Sequence, residues 1–160
     1  MTDLALDPRS EPAEASRAVL WSRWMDLWNG DREIGRRILA PELTLHLPEV
    51  GMPPAASIRT PEDFVNWIAL FRGSFREDAR IRTTLGPFSC GDYLMARWEY
   101  RGVWTGGRPA TATAPPGTGI TLRGADIVRL DAQGRIAEYW LSDDLLDMYA
   151  QLGAETPRKG

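Results

Sequence analysis

Asp126 is the residue of this sequence whose surroundings most invite chemistry. In the stretch ITLRGADIVRL (120–130), Leu122, Gly124, Asp126, Val128 and Leu130 fall at every second position. Strand side chains alternate between faces, so one carboxylate stands in the middle of an apolar row. An ionised, unpaired carboxylate there costs on the order of several kcal/mol, so it must be paired, hydrogen-bonded or protonated. If an apolar cavity raises its pKa, it is a general acid/base. If it meets a buried Arg or a Tyr hydroxyl, it is a piece of structure. His46, the one imidazole of the chain, stands between Leu45 and Leu47. It is either a partner acid/base or an outward strand histidine bonded to backbone.

Aromatic side chains supply the next candidates. Leu94, Ala96, Trp98, Tyr100 and Trp104 share one face of a long strand, where the three rings either stack on a planar ligand or fill the core. Trp104, beside the Gly- and Pro-rich loop 106–119, is the ring expected nearest a pocket rim. Trp21, Trp24 and Trp28 recur at helical spacing and are mostly core, with Trp28 the one reaching the pocket. Cys90 sits in a turn with no nearby His and carries no nucleophile reading.

These residues must be positioned by elements that the sequence marks clearly. A Pro- and acid-rich tail over residues 1–13 precedes an amphipathic helix that stops at Asn29-Gly30. A short helix fits 31–39 and ends at Pro41, and a strand fits 43–47. Thr60-Pro61-Glu62-Asp63 opens a third helix. Strands follow over 79–88 and from Tyr93 to about Thr105. The alternating runs on either side of Asp131-Ala132-Gln133-Gly134 form a closing hairpin. Asp143 or Asp144 caps a last helix over 145–152, stopped by Gly153. Residues 14–153 thus form one domain, with a short tail over 154–160. Helices followed by an antiparallel meander give an α+β half-barrel whose interior is the natural ligand site.

Composition excludes several classes. The chain has 160 residues, a formal net charge of -3 and no basic run, so nucleic acid is not an expected partner. No apolar stretch reaches membrane-spanning length, and the acidic start is no signal peptide, so the protein is expected in the cytoplasm, away from membranes. One Cys and one His give neither a disulfide nor a zinc cluster.

In its ordered part, residues 16–153, the chain resembles the SnoaL-like polyketide cyclases of the NTF2-like superfamily. The resemblance rests on Trp28-Asn29-Gly30-Asp31, His46, and Phe75-Arg76-Glu77-Asp78-Ala79-Arg80. It also rests on Gly102-Val103-Trp104-Thr105-Gly106, Pro115-Pro116-Gly117-Thr118-Gly119, and the closing Gly134-Arg135-Ile136, Trp140, Asp144 and Gln151-Leu152-Gly153. It implies an NTF2-like cone-shaped half-barrel, a curved antiparallel sheet wrapped around N-terminal helices, commonly a homodimer or homotetramer without metal or organic cofactor. The implied activity is an intramolecular aldol cyclisation of a polyketide, driven by a side-chain acid/base. In such enzymes the acid follows the position of Trp140, and a histidine stands where this chain has Asp126. Here Leu141 occupies the acid's position, and Trp104 replaces a motif histidine.

The expectation is therefore a cofactor-independent acid/base enzyme on a hydrophobic, polyketide-like molecule, a lyase or isomerase. Asp126 and His46 transfer protons, while Trp28, Trp98, Tyr100, Trp104, Tyr139 and Leu141 line the substrate site. Asp126→Asn is expected to abolish turnover and spare the fold. A ketosteroid-isomerase- or epoxide-hydrolase-like activity, and a non-catalytic binding or dimerisation module, stay open beside it.

Overall fold

The computed structural model describes residues 10–48 and 52–156. The tail expected over 1–13 lies outside the described residues as far as residue 9, and residues 10–13 already belong to the first helix, α1 (Ser10–Trp28). The C-terminal tail lies outside them from residue 157. α2 (Arg32–Ile38) leads into β1 (Leu39–His46), and a 3₁₀ turn (Ala55–Ser57) precedes α3 (Pro61–Arg72). β2 (Arg80–Cys90), β3 (Tyr93–Val103), β4 (Gly119–Leu130), β5 (Ile136–Asp143) and α4 (Leu145–Gln151) complete the chain.

Local chemistry sets the joints. Gly30 takes a φ of 107° after α1, a value that a side chain resists. The Thr60 hydroxyl accepts from the Asp63 N–H at 3.2 Å, and the Asp63 carboxylate accepts from the Thr60 N–H at 3.0 Å, a reciprocal cap on α3. In the β4–β5 turn Gly134, at φ 76°, donates its N–H to the Asp131 carbonyl at 2.9 Å. The expected cap on α4 is different: Asp144 takes the capping position, but its side chain makes no capping bond.

The sheet runs β1-β5-β4-β3-β2. β2 to β5 form the antiparallel meander, and β1 joins β5 in parallel, with Leu45 beside Tyr139. Pro41 sits inside β1 at the sheet's edge, where a missing N–H is tolerated. One face of this open sheet is buried against α1 and α3. The rings of Trp24 and Tyr139 meet there at 4.8 Å, and those of Trp24 and Phe64 at 5.8 Å.

The opposite face holds Glu99, 6% exposed and bonded to Arg82, Arg101 and Arg123 at 3.0, 2.7 and 3.2 Å. The Arg101 and Arg82 hydrogen bonds hold its pKa below the usual carboxylate value. Beside this cluster an apolar row crosses all five strands: Phe88, Met95, Ile127, Trp140 and His46 are register neighbours in turn. Phe88 and Met95 are exposed. Among the described residues no helix is long and apolar enough to cross a membrane.

Candidate active site

β4 places Asp126 on the buried face, as the alternation requires, and its exposure is zero. Directly opposite it stand Ala96 on β3 and Leu141 on β5. The small Ala96 leaves room for larger neighbours to converge. One carboxylate oxygen accepts the Trp98 indole N–H and the Tyr139 hydroxyl, both at 2.8 Å. The other accepts the Trp24 indole N–H, also at 2.8 Å. Burial raises the Asp126 pKa to about 6, against the opposing pull of these three donors, and the charge of Asp143 pushes the same way as burial. All three partners are neutral donors, the pattern that suits an ionised carboxylate. Burial and the neighbouring Asp126 charge push the Tyr139 hydroxyl well above its usual pKa, so it stays a donor.

Gly124 makes this arrangement possible. It lies between Trp98 and Asp143 in one row across the sheet. A Cβ on Gly124 would run into the six-membered ring of Trp98 and the Ser142 carbonyl. Gly124→Ala should therefore displace Trp98 from Asp126 and cost about 2–4 kcal/mol, overpacking plus a lost hydrogen bond. A urea midpoint equal to that of wild type would refute this.

Next to the Asp126 cluster lies an apolar cavity of about 50 Å³. Trp28, Trp67, Phe71, Trp98, Tyr100 and Leu122 build its inner wall, with Pro48, Met52, Ile81, Leu141, Asp143 and Leu145 completing it. Asp126 is not part of that wall; Trp98 stands between them. The cavity's carboxylate is Asp143, half-buried, with its pKa raised to about 6 by burial and by the adjacent Asp144. A second cavity of about 50 Å³ shares Met52, Phe71 and Leu145 with the first, and these side chains form the partition between them.

Of the residues expected at the site, Trp28, Trp98, Tyr100 and Leu141 line the cavity. Asp126 and Tyr139 are bonded to each other behind it. His46 does not reach it: the ring lies on the opposite sheet face, 2.9 Å from Glu138 and stacked 4.8 Å from Trp140. Alternation explains this, since Leu45 and Leu47 claim the buried face. Trp104 is also absent from the wall; it is buried and donates its indole N–H to the Arg108 carbonyl at 2.8 Å. Sequence reasoning assigned Asp143 to helix capping and missed it as a cavity residue. The signal was available, because Tyr139, Leu141 and Asp143 alternate on one face of β5.

The sequence matches the SnoaL-like domain family model over residues 21–139. The match ends at Tyr139, so Leu141 and Asp143 lie beyond it. No functionally curated protein matches the chain. Similar solved structures include TsrD from Streptomyces laurentii, 24% identical over 94% of this chain and 100% of its own, with a TM-score of 0.72. IdmH from Streptomyces antibioticus, named as a candidate polyketide cyclase, is 24% identical over 86% and 98%, with a TM-score of 0.69. A candidate SnoaL-like polyketide cyclase from Jannaschia sp. CCS1 is 18% identical over 94% and 99%, with a TM-score of 0.73. At these identities the likeness is one of fold.

Proposed function

Because this chain belongs to the SnoaL-like domain family, we propose that it is a cofactor-independent acid/base enzyme of the cytoplasm. Its substrate is an apolar, carbonyl-bearing molecule of polyketide type, and its reaction an intramolecular aldol cyclisation. The observation that carries this reading is Asp143, the one carboxylate among the described residues that opens into this largely apolar cavity, with its pKa raised to about 6. A base poised near the working pH, in contact with the ligand space, suits proton abstraction next to a carbonyl. Asp126, whose oxygens are both occupied, is a positioning residue that fixes the Trp98 wall.

The chemistry balances without a further reactant. Asp143 removes a proton from a carbon beside a carbonyl, and the C–H electron pair moves into that carbonyl to give an enolate. The enolate carbon attacks a second carbonyl of the same molecule and forms the ring bond. The resulting alkoxide takes the proton back from Asp143.

A cavity of about 50 Å³ is small beside the roughly 300–1,000 Å³ of drug-sized ligand sites. A fused-ring substrate needs the partition of Met52, Phe71 and Leu145 to yield, which joins the two cavities. Met52, unbranched and adaptable, is the side chain best suited to yield. The same small volume, with Leu141 at the family's acid position, favours a second reading: a non-catalytic binder of compact apolar molecules. Deuterium exchange at the α-carbon of ketones and anthraquinone-type methyl esters, followed by NMR and mass spectrometry, separates the two. Exchange or ring closure by wild type and not by Asp143→Asn supports the enzyme; binding without either supports the carrier.

The protein acts as a homodimer in this proposal. Phe88, Met95, Ile127 and Trp140 form an apolar row flanked by the Glu138–Arg129 pair and by the Glu99 cluster, where three arginines outnumber one carboxylate. Such a face suits a second copy packed about a two-fold axis. Met95→Glu should halve the mass found by sedimentation equilibrium; a wild-type monomer would refute the dimer.

A further inference from the structure

Among the described residues two buried donors have no partner, and both residues line the cavity. The Tyr100 hydroxyl and the Trp28 indole N–H make no hydrogen bond, although Tyr100 is 1% and Trp28 5% exposed. Elsewhere the fold satisfies such groups: the indoles of Trp24 and Trp98 end on Asp126, that of Trp21 on the Thr83 hydroxyl at 2.8 Å. A buried donor left unmet is costly, so its persistence needs a cause. Here the cause is shared: both sit in the wall of a cavity that Asp143 also lines.

We propose that Tyr100 Oη and Trp28 Nε1 receive a carbonyl oxygen of the ligand and hold the negative charge that gathers on it when Asp143 removes the α-proton. The oxygen site stands on the unmet donors; its role in holding charge rests on the acid/base reading above. Among the described residues this cavity's own lining contains no Lys or Arg, and Arg108 belongs to the adjoining cavity beyond the Met52–Phe71–Leu145 partition. The Asp143 carboxylate further disfavours a carboxylate ligand. A neutral ketone fits: an acceptor without a proton to give, on an apolar body that the indoles and Phe71 can cover. Burial pushes the Tyr100 pKa up to about 12, so the hydroxyl keeps its proton and donates at neutral pH. Donors fixed in an apolar wall strengthen as the oxygen becomes anionic, which lowers the barrier to forming the enolate.

Acetophenone labelled with ¹³C at its carbonyl is the probe, with α-methylstyrene as the near-isostere that lacks the acceptor. Calorimetry gives the two affinities, and infrared spectroscopy gives the bound carbonyl stretch. Wild type should bind acetophenone more tightly and lower its carbonyl stretch. Tyr100→Phe should weaken acetophenone binding about tenfold, return most of the frequency shift and leave α-methylstyrene unaffected. Trp28→Phe should act on the same frequency. Because Tyr100→Phe removes a hydroxyl that bonds to nothing, its Tm should equal or exceed that of wild type, which keeps this variant measurable.

The proposal is overturned if wild type fails to prefer acetophenone, or if the carbonyl frequency in Tyr100→Phe matches that in wild type. Deuterium exchange at the acetophenone methyl tests the acid/base reading separately. A Tyr100-dependent frequency shift without Asp143-dependent exchange keeps the oxygen site and removes the enzyme.

Discussion

Asp126→Ala should lower Tm by roughly 8–15 °C, and the loss should be larger than for any surface aspartate. The substitution strands three buried donors, the indoles of Trp24 and Trp98 and the Tyr139 hydroxyl, at about 1–3 kcal/mol each. Against this stands relief from burying a charge, about 3 kcal/mol for a pKa raised from 3.8 to about 6. The remainder, with the small cavity left behind, is about 3–5 kcal/mol, and a domain of this size loses about 2–4 °C per kcal/mol. Asp126→Asn should fall between, because its amide N–H groups face donors and only its one carbonyl accepts.

The same carboxylate makes wild-type stability depend on pH in a direction opposite to the usual aspartate. Its folded pKa lies above the unfolded value, so the native state binds more protons between about pH 4 and 6. Stability therefore rises as pH falls from about 7 to about 5, by about 1 kcal/mol from this group. Urea midpoints across that window, wild type against Asp126→Asn, check the sign. A wild-type midpoint that falls with acidification, with no difference from the variant, would contradict it.

Asp143→Asn should leave the fold intact and remove catalysis, by about 10²–10⁴-fold in the rate of α-proton exchange. Asp143 is half-buried, belongs to the end of β5 and accepts no side-chain bond that holds another element in place. Wild-type exchange should rise with pH through an inflection near 6, since the carboxylate works ionised. The charge of Asp143 adds to the rise in the Asp126 pKa, whereas burial and Asp144 set that of Asp143, so the exchange profile reports Asp143 and the stability profile also reports Asp126. The variant separates them: exchange loses its inflection while the stability profile keeps one. If Asp126→Asn, folded at low temperature, lost exchange and Asp143→Asn kept it, the assignments would be reversed.

The sequence was most informative where a repeating pattern met a backbone rule. Alternation along β4 placed Asp126 on the buried face, and Thr60 with Asp63 capped α3 as their spacing demanded. The β4–β5 hairpin followed from Asp131 and Gly134. What alternation cannot reveal is depth. Asp126 and Asp143 both belong to buried-face rows, yet Trp98 seals one from the cavity that the other enters. That depends on Gly124 giving Trp98 its resting place, a contact between β3 and β4 with no local signature. Trp104 misled for a similar reason, because its indole turns toward the Arg108 carbonyl across its own loop. His46 was left open between two faces, and its apolar neighbours decided it.

The parallel pairing of β1 with β5 bears on how the protein is made. During synthesis β1 emerges early, but its partner is encoded almost a hundred positions later. Until then β1 is an edge without a neighbour, and Trp24 waits for a carboxylate 102 residues downstream. A nascent or truncated chain lacking residues past about 125 thus exposes a strand edge and an indole-rich helix together, which is a template for aggregation. Pairings this distant also slow refolding relative to helical bundles of similar length. For a cell producing this protein, the last few dozen residues decide whether the ribosome's product is a folded domain or a chaperone client.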